Sequence, residues 1–190
     1  MDLDTSNPWK THSKKDIYSN PWIQIEEHQV TNPAGGPGIY GVVHFKNTAI
    51  GIIPIDESGN TWLVGQYRYT LDQFSWEIPE GGCLIEKEKP LESAQRELLE
   101  ETGLIAEQWE MVLNTHLSNS VTDEYSYTFV ATKLSMRESK PEDTEKLYIK
   151  KLPLSEAIEM CHQGQITDAL SIVSLLKVQY LLDRGELQFS

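Results

Sequence analysis

The chain has 190 residues, 29 of them acidic and 16 basic, for a formal net charge of -13 and a pI near 4.7, with 39% hydrophobic and 24% charged residues. That balance describes a globular chain of one domain plus a small appendage, and it excludes the basic footprint used to hold nucleic acid or an anionic membrane. Two well-separated cysteines, Cys83 and Cys161, make neither a disulfide framework nor a thiolate zinc site.

The opening residues, MDLDTSNPWKTHSKKD, lack the basic-then-apolar order of a secretory signal, and no segment approaches the roughly 20 apolar residues that span a bilayer. The longest candidate, residues 172–182, is interrupted by Lys177 and Gln179. A soluble protein of a reducing cytoplasm is expected. Residues 22–30 (WIQIEEHQV) and 39–46 (IYGVVHFK) are β-rich runs separated by NPAGGPG, which predicts a hairpin. Strand chemistry continues at 49–56, 61–69, 125–134 and 146–152. Helical patterns occupy 90–102, 154–163 and 167–183, the last two split by Gly164. The class is α+β, mostly sheet with few helices. Residues 1–46 are predicted to form a small β appendage, and 47–190 the main domain.

The helix from Pro90 is bounded by proline at its first position and by Gly103, which can take the left-handed conformation at its end. At about 100° per residue, Leu91, Ala94 and Leu98 share one face, and Glu97, Glu100 and Glu101 border it. Like charges at i and i+4 cost a few tenths of a kcal/mol even when exposed. Something positive must offset them. Either this is a solvated acidic face eased by Arg96, or three carboxylates supply hard oxygen ligands to a dication such as Mg²⁺ or Mn²⁺.

The residues before the helix decide between these. Gly82, Glu88, Arg96, Glu97, Leu98, Glu100, Glu101, Gly103 and Leu104 fit the spacing G-x5-E-x7-R-E-U-x-E-E-x-G-U, U being aliphatic, a chance match on the order of one in 10⁹ at a given start. Gly82 permits a tight loop, Glu88 can pair with Arg96, and Arg96 can hold the loop against the helix. With this pattern the chain resembles the Nudix hydrolase family, whose signature it carries without departure at the fixed positions. The resemblance implies an α/β/α sandwich with a mixed sheet and an N-terminal antiparallel β appendage. It also implies metal-dependent hydrolysis of a nucleoside diphosphate linked to another moiety, with Mg²⁺ or Mn²⁺ held by Glu97, Glu101, Glu100 and the carbonyl of Gly81, Glu100 and Arg96 also counted with the catalytic residues, and Glu88 in support.

The flanks narrow the resemblance. QYRYTLDQFSWEIPEGG (66–82) is similar to the Q-Y-R and E-x-P-x-G stretch of ADP-ribose and nucleoside diphosphate sugar pyrophosphatases, which makes Arg68 and Glu77 candidates for substrate contact. LSNSVTDE (117–124) is similar to that subfamily's S-P-G-x-x-x-E loop, with Asn119 in place of proline and Glu124 as the acidic residue, a third candidate for substrate contact. SKPEDTEKLYI (139–149) precedes a strand as the family's catalytic loop does, with Glu145 at the general-base position and Glu142, Asp143 and Glu124 as alternatives. Resemblance further implies a homodimer paired through the N-terminal sheet, where Trp22 or Tyr40 would reach a neighbour's nucleotide. The five histidines, His12, His28, His44, His116 and His162, show no metal-ligand spacing, so structural or surface roles are expected. The expected reaction is cleavage of ADP-ribose or a related nucleoside diphosphate sugar into a nucleoside monophosphate and a sugar phosphate. Alternatives are a nucleoside triphosphate or dinucleotide pyrophosphatase of the same family, and a noncatalytic nucleotide sensor.

Overall fold

The computed structural model describes residues 3–84, 87–137 and 146–188. They form two compact units, the first reaching to Asn47 and including Ser118–Glu124, the second comprising Thr48–Leu117 and the chain from Tyr125 onward.

The first unit is an antiparallel sheet of β1 (Lys10–Ser19), β2 (Ile23–Thr31) and β3 (Pro37–Phe45) in the order β1-β2-β3. The turn between β2 and β3 is held by Asn32, whose Oδ1 accepts from the amides of Ala34 and Gly36, both at 3.0 Å, the usual way an asparagine closes a tight loop. Ser118–Glu124 runs along β3, where the Val43 amide donates to the Val121 carbonyl at 2.9 Å. Strand β1 is exposed along its whole length. Its sequence, KTHSKKDIYS, has no period-2 alternation, and so it carries no strand signal.

The second unit contains β4 (Asn47–Pro54), β5 (Asn60–Arg68), β6 (Gln73–Glu77), β7 (Glu80–Leu84), α1 (Pro90–Thr102), β8 (Leu104–His116), β9 (Tyr125–Met136), β10 (Tyr148–Pro153), α2 (Leu154–His162) and α3 (Ala169–Asp183). One sheet runs β7-β4-β9-β8 and the other β10-β5-β6. The former is mixed, since β4 and β9 are parallel while β8 and β9 are antiparallel. Strand β4 shows why helices cover both faces. Its side chains alternate, so Ile50 and Ile52 pack with Ala94 and Leu98 of α1. Ile53 and Ile55, with the opposite parity about the chain, pack with Leu170, Leu175 and Val178 of α3. A strand buried on both faces reads as an unbroken apolar run, as AIGIIPI does. This is the expected α+β sandwich with an N-terminal antiparallel sheet. One expectation changes. Leu91 is 38% exposed, because the apolar stripe of α1 narrows to Ala94 and Leu98.

The turn from β4 to β5 is closed by Asp56, whose Oδ1 accepts from the amides of Ser58 at 2.9 Å and Asn60 at 2.8 Å, while Oδ2 pairs with Lys151 Nζ at 2.7 Å. Burial disfavours the Asp56 carboxylate, but Lys151 and the Asn60 and Ser58 bonds outweigh it and bring its pKa down to about 2. A depressed folded-state pKa contributes stability above the unfolded value, near 3.9 for aspartate, that is lost as pH falls through the folded value. Asp56→Asn is therefore expected to lower stability by about 2 kcal/mol at pH 7, at about 1.4 kcal/mol per pKa unit. Denaturant titrations of both proteins should show that deficit shrinking between pH 4 and pH 2.

Candidate active site

The end of β7, the loop after it and α1 meet around one guanidinium. Lys89 precedes α1 in an extended conformation, Pro90 opens it, and Gly103 closes it at φ 72° with its amide bonded to the Leu99 carbonyl at 2.9 Å. A side chain would be strained at that angle. From the middle of α1, Arg96 Nη1 reaches Glu100 Oε2 and Glu97 Oε1, each at 2.9 Å. Its Nη2 donates to the Gly82 carbonyl at 3.0 Å and to Glu88 Oε2 at 3.4 Å. Ser93 Oγ donates to the same Glu88 oxygen at 2.7 Å, and this bond together with Arg96 holds the Glu88 carboxyl below its ordinary range. One side chain thus ties loop to helix and orients two of the three helix carboxylates. Burial opposes the Arg96 charge, but Glu97 and Glu100 outweigh it and keep the cation firmly protonated.

Glu97 lies over Gly81. Its Oε1 accepts from the Gly82 amide at 3.2 Å, and a Cβ placed on Gly81 would overlap the Glu97 carboxylate. Only glycine lets backbone and carboxylate approach so closely. Burial raises the Glu97 carboxyl above its usual range, against the pull of Arg96. One turn on, Glu101 is 7% exposed, and its Oε2 accepts from the Glu80 amide at 3.0 Å. Glutamates of α1 are therefore bonded to the amides on either side of Gly81.

A second group of carboxylates adjoins this one. At the end of β5, Arg68 Nε donates to Glu77 Oε1 and Oε2 at 2.9 and 3.0 Å, and its Nη2 reaches Glu77 Oε2 and Glu80 Oε1, both at 2.5 Å. Glu77 is 2% exposed. Glu77, Glu80 and Asp168 each present a carboxylate oxygen within 4.8 Å of the others. Asp168 also caps α3, accepting from the Ser171 amide at 2.7 Å. Burial, then the charges of Asp168 and Glu77, raise the Glu80 carboxyl well above its ordinary range, and its buried Oε2 has no hydrogen-bond partner among the described residues.

The sequence carries the same assignment as this geometry. Residues 45–170 match the model of the NUDIX domain. The chain belongs to the Nudix family. Residues 9–43 match a second model, the nucleoside diphosphate sugar hydrolase N-terminal domain. The chain is 31% identical over 175 residues to an ADP-ribose pyrophosphatase of Mycobacterium tuberculosis, covering 90% of this chain and 83% of that protein. It is 29% identical over 181 residues to an ADP-ribose pyrophosphatase of Bacillus subtilis, covering 94% and 95%. A crystal structure of an ADP compounds hydrolase superposes with a TM-score of 0.84 at 18% identity, over 97% of this chain and 100% of that one, which shows the shared fold.

Within the Nudix unit, Gly81, Gly82, Glu88, Arg96, Glu97, Glu100 and Glu101 come together, and Arg68 and Glu77 join them through Glu80. Glu124 belongs to the first unit, where its amide donates to Thr122 Oγ1 at 3.3 Å. Glu142, Asp143 and Glu145 lie outside the described residues. Glu80 and Asp168 were not singled out in the sequence. Glu80 occupies a variable position of E-x-P-x-G, and Asp168 shows only a helix-cap signal, an aspartate just before an apolar helix. The residues here fit a divalent cation. The donor set is all oxygen, as hard dications prefer, the missing side chain of Gly81 lets the Glu97 carboxylate lie against the backbone, and Glu80 Oε2, orphaned among the described residues, carries a cost of about 1–3 kcal/mol that a cation would relieve.

Proposed function

We propose that this Nudix hydrolase cleaves the diphosphate of ADP-ribose or a related nucleoside diphosphate sugar with Mg²⁺, or Mn²⁺ in its place, giving a nucleoside monophosphate and a sugar phosphate. The observation that carries the reading is the intact acidic helix seated against Gly81 and Gly82 of β7, in a chain similar along nearly its whole length to ADP-ribose pyrophosphatases.

Glu97, Glu101, Glu100 and the Gly81 carbonyl would hold the dication, with Glu80 close by. The ion would supply neutralisation of the diphosphate oxygens, without which an anionic substrate would be repelled by a chain of net charge -13. Arg96 acts as a positioning residue, keeping Glu97 and Glu100 turned toward the loop before substrate arrives, so that little reorganisation is needed during the reaction. Water attacks one phosphorus in line, the bond to the bridging oxygen breaks, and the bridging oxygen leaves with the other phosphate. The proton of that water goes to a carboxylate, Glu145 of the 139–149 loop in this reading, with Glu142 and Asp143 of the same loop and Glu124 of the 117–124 loop as alternatives. Arg68 holds Glu77 through Nε and Nη2, so any grip on substrate falls to its remaining nitrogen, Nη1, or to Glu77.

The first unit favours a homodimer. A three-stranded sheet is close to the minimum that is stable alone, yet Ile17, Trp22 and Ile39 are 53, 64 and 67% exposed. A second copy would cover them. Two unpaired cysteines suit a reducing cytoplasm.

Incubation with Mg²⁺ and, in turn, ADP-ribose, GDP-mannose, UDP-glucose, ATP and diadenosine compounds tests the assignment. Release of AMP and ribose 5-phosphate from ADP-ribose is expected. Turnover of triphosphates alone would replace it with the triphosphate pyrophosphatase reading. Tight binding with no turnover would make the chain a sensor.

A further inference from the structure

We propose that Glu26, His28 and His44 form a second metal site, in the first unit, that takes Zn²⁺ through two imidazole nitrogens and one carboxylate oxygen, with Asp123 orienting His44. The inference is independent of the hydrolytic reading.

Strand register creates the site. In the β2–β3 ladder Gln24 pairs with His44, Glu26 with Val42 and His28 with Tyr40. Successive side chains alternate faces, so Glu26, His28 and His44 share one, with His44 diagonal to Glu26. Their ligand atoms all lie within 4.8 Å of one another. Both histidines aim Nε2 at the same oxygen, Glu26 Oε2, His28 from 2.7 Å and His44 from 3.3 Å. The other oxygen, Oε1, accepts from Gln24 Nε2 at 3.2 Å.

Asp123 determines what His44 can offer. Its Oδ1 accepts the Phe45 amide at 2.9 Å, and its Oδ2 lies 2.6 Å from His44 Nδ1. An ionised carboxylate only accepts, so Nδ1 carries the proton, and a neutral His44 presents its Nε2 lone pair to Glu26. Two acceptors then face each other across 3.3 Å. Such a contact requires a cation between them, either a second proton on His44 or a metal. A carboxylate behind the distal nitrogen is the usual support of a metal-bound histidine.

The dimensions suit zinc. Bonds of about 2.0–2.1 Å at tetrahedral angles separate two ligand atoms by about 3.3–3.4 Å, close to the 3.3 Å between His44 Nε2 and Glu26 Oε2. His28 would withdraw from its 2.7 Å hydrogen bond by about 0.6 Å to reach the same spacing. Glu26 and His28 side chains are 16 and 11% exposed, whereas His44 at 32% leaves an entry path. Lys14 Nζ, 3.6 Å from Glu26 Oε2, is the resident cation, and with 58% exposure it can swing into water when displaced. Imidazole donors favour zinc and its transition-metal neighbours over Mg²⁺, so the two sites should sort their ions. A metal here would staple β2 and β3 and, through Asp123, the 118–124 segment.

The test is a Zn²⁺ titration of the full chain, stripped with a chelator and held in excess Mg²⁺, followed by the side-chain ¹⁵N resonances of its histidines. The expected result is one equivalent bound with the His28 and His44 Nε2 signals shifting together, His44→Asn abolishing that binding, and Asp123→Asn weakening it about 10–100-fold. Shifts confined to other histidines, or zinc bound without moving any histidine, would overturn the proposal. Because the wild-type resonances decide the matter, failure of a variant to fold would not obscure it. Signals that respond to pH and not to Zn²⁺ would also overturn it, leaving a proton on His44 as the cation of the cluster.

Discussion

Replacing Glu101 with glutamine is expected to lower turnover of ADP-ribose at least about 100-fold and to leave the fold intact. The change is nearly isosteric, and the amide oxygen of glutamine can still accept from the Glu80 amide, which Glu101 Oε2 now does at 3.0 Å. What disappears is a formal charge from a residue 7% exposed and bonded to the residue before Gly81. Electrostatic stabilisation by a dication is worth several kcal/mol to a phosphoryl transition state, and each 1.36 kcal/mol is a factor of ten in rate. The lost charge should therefore appear in kcat more than in thermal stability. Steady-state kinetics across a Mg²⁺ series, with circular dichroism and a melting curve of the same sample, separate the two. A variant with the wild-type rate would remove Glu101 from the mechanism. Partial recovery at high Mg²⁺ would identify the loss as one of metal affinity.

The part of this site that lies on α1 was legible because its signals are local. Pro90 and Gly103 punctuate the chain by their own backbone restrictions, and the helix runs Pro90–Thr102 as predicted. The pairing of Glu88 with Arg96 follows from a loop of a few residues joined to a helix of known pitch. Other elements carried no local signal. The polar β1 lacks alternation, and β8 has a register shift between Met111 and Leu113 that breaks the period of two. Strand β6, QFSWE, does alternate polar and aromatic residues, but five residues make too short a run to stand out, and β7, EGGCL, has no such period. Long-range convergence was invisible for a different reason. Asp168 reaches Glu80 only because α3 packs under β4 and β6, with the Ile78 amide bonded to Ser171 Oγ at 3.0 Å. His28 and His44 meet only through the β2–β3 register. Sequence spacing records neither.

Loss of Arg68 should damage stability strongly. Its sequence context suggested a grip on substrate, yet three of its hydrogen bonds go to Glu77 and one to Glu80, and its side chain is only 35% exposed. Burial disfavours the Arg68 cation, but Glu77 and Glu80 outweigh that and hold it protonated. The same guanidinium is the cation among Glu77, Glu80 and Asp168. Removing one partner of a buried ion pair costs about 3–5 kcal/mol because the other charge remains. Arg68→Met is therefore expected to lower the metal-free melting temperature by about 6–20 °C, at about 2–4 °C per kcal/mol for a chain of this size. Two further measurements attribute the loss to charge and not to packing. Arg68→Met/Glu77→Gln should recover a substantial part of it, since the deepest stranded carboxylate is gone. Mg²⁺ should stabilise Arg68→Met more than wild type, because three carboxylates within 4.8 Å of one another would then lack their cation. If the single variant melts within about 2 °C of wild type, less than about 1 kcal/mol, the carboxylates are solvated well enough to need no counter-charge. Arg68 would then be available to a phosphate, and its loss should raise KM in place of lowering stability.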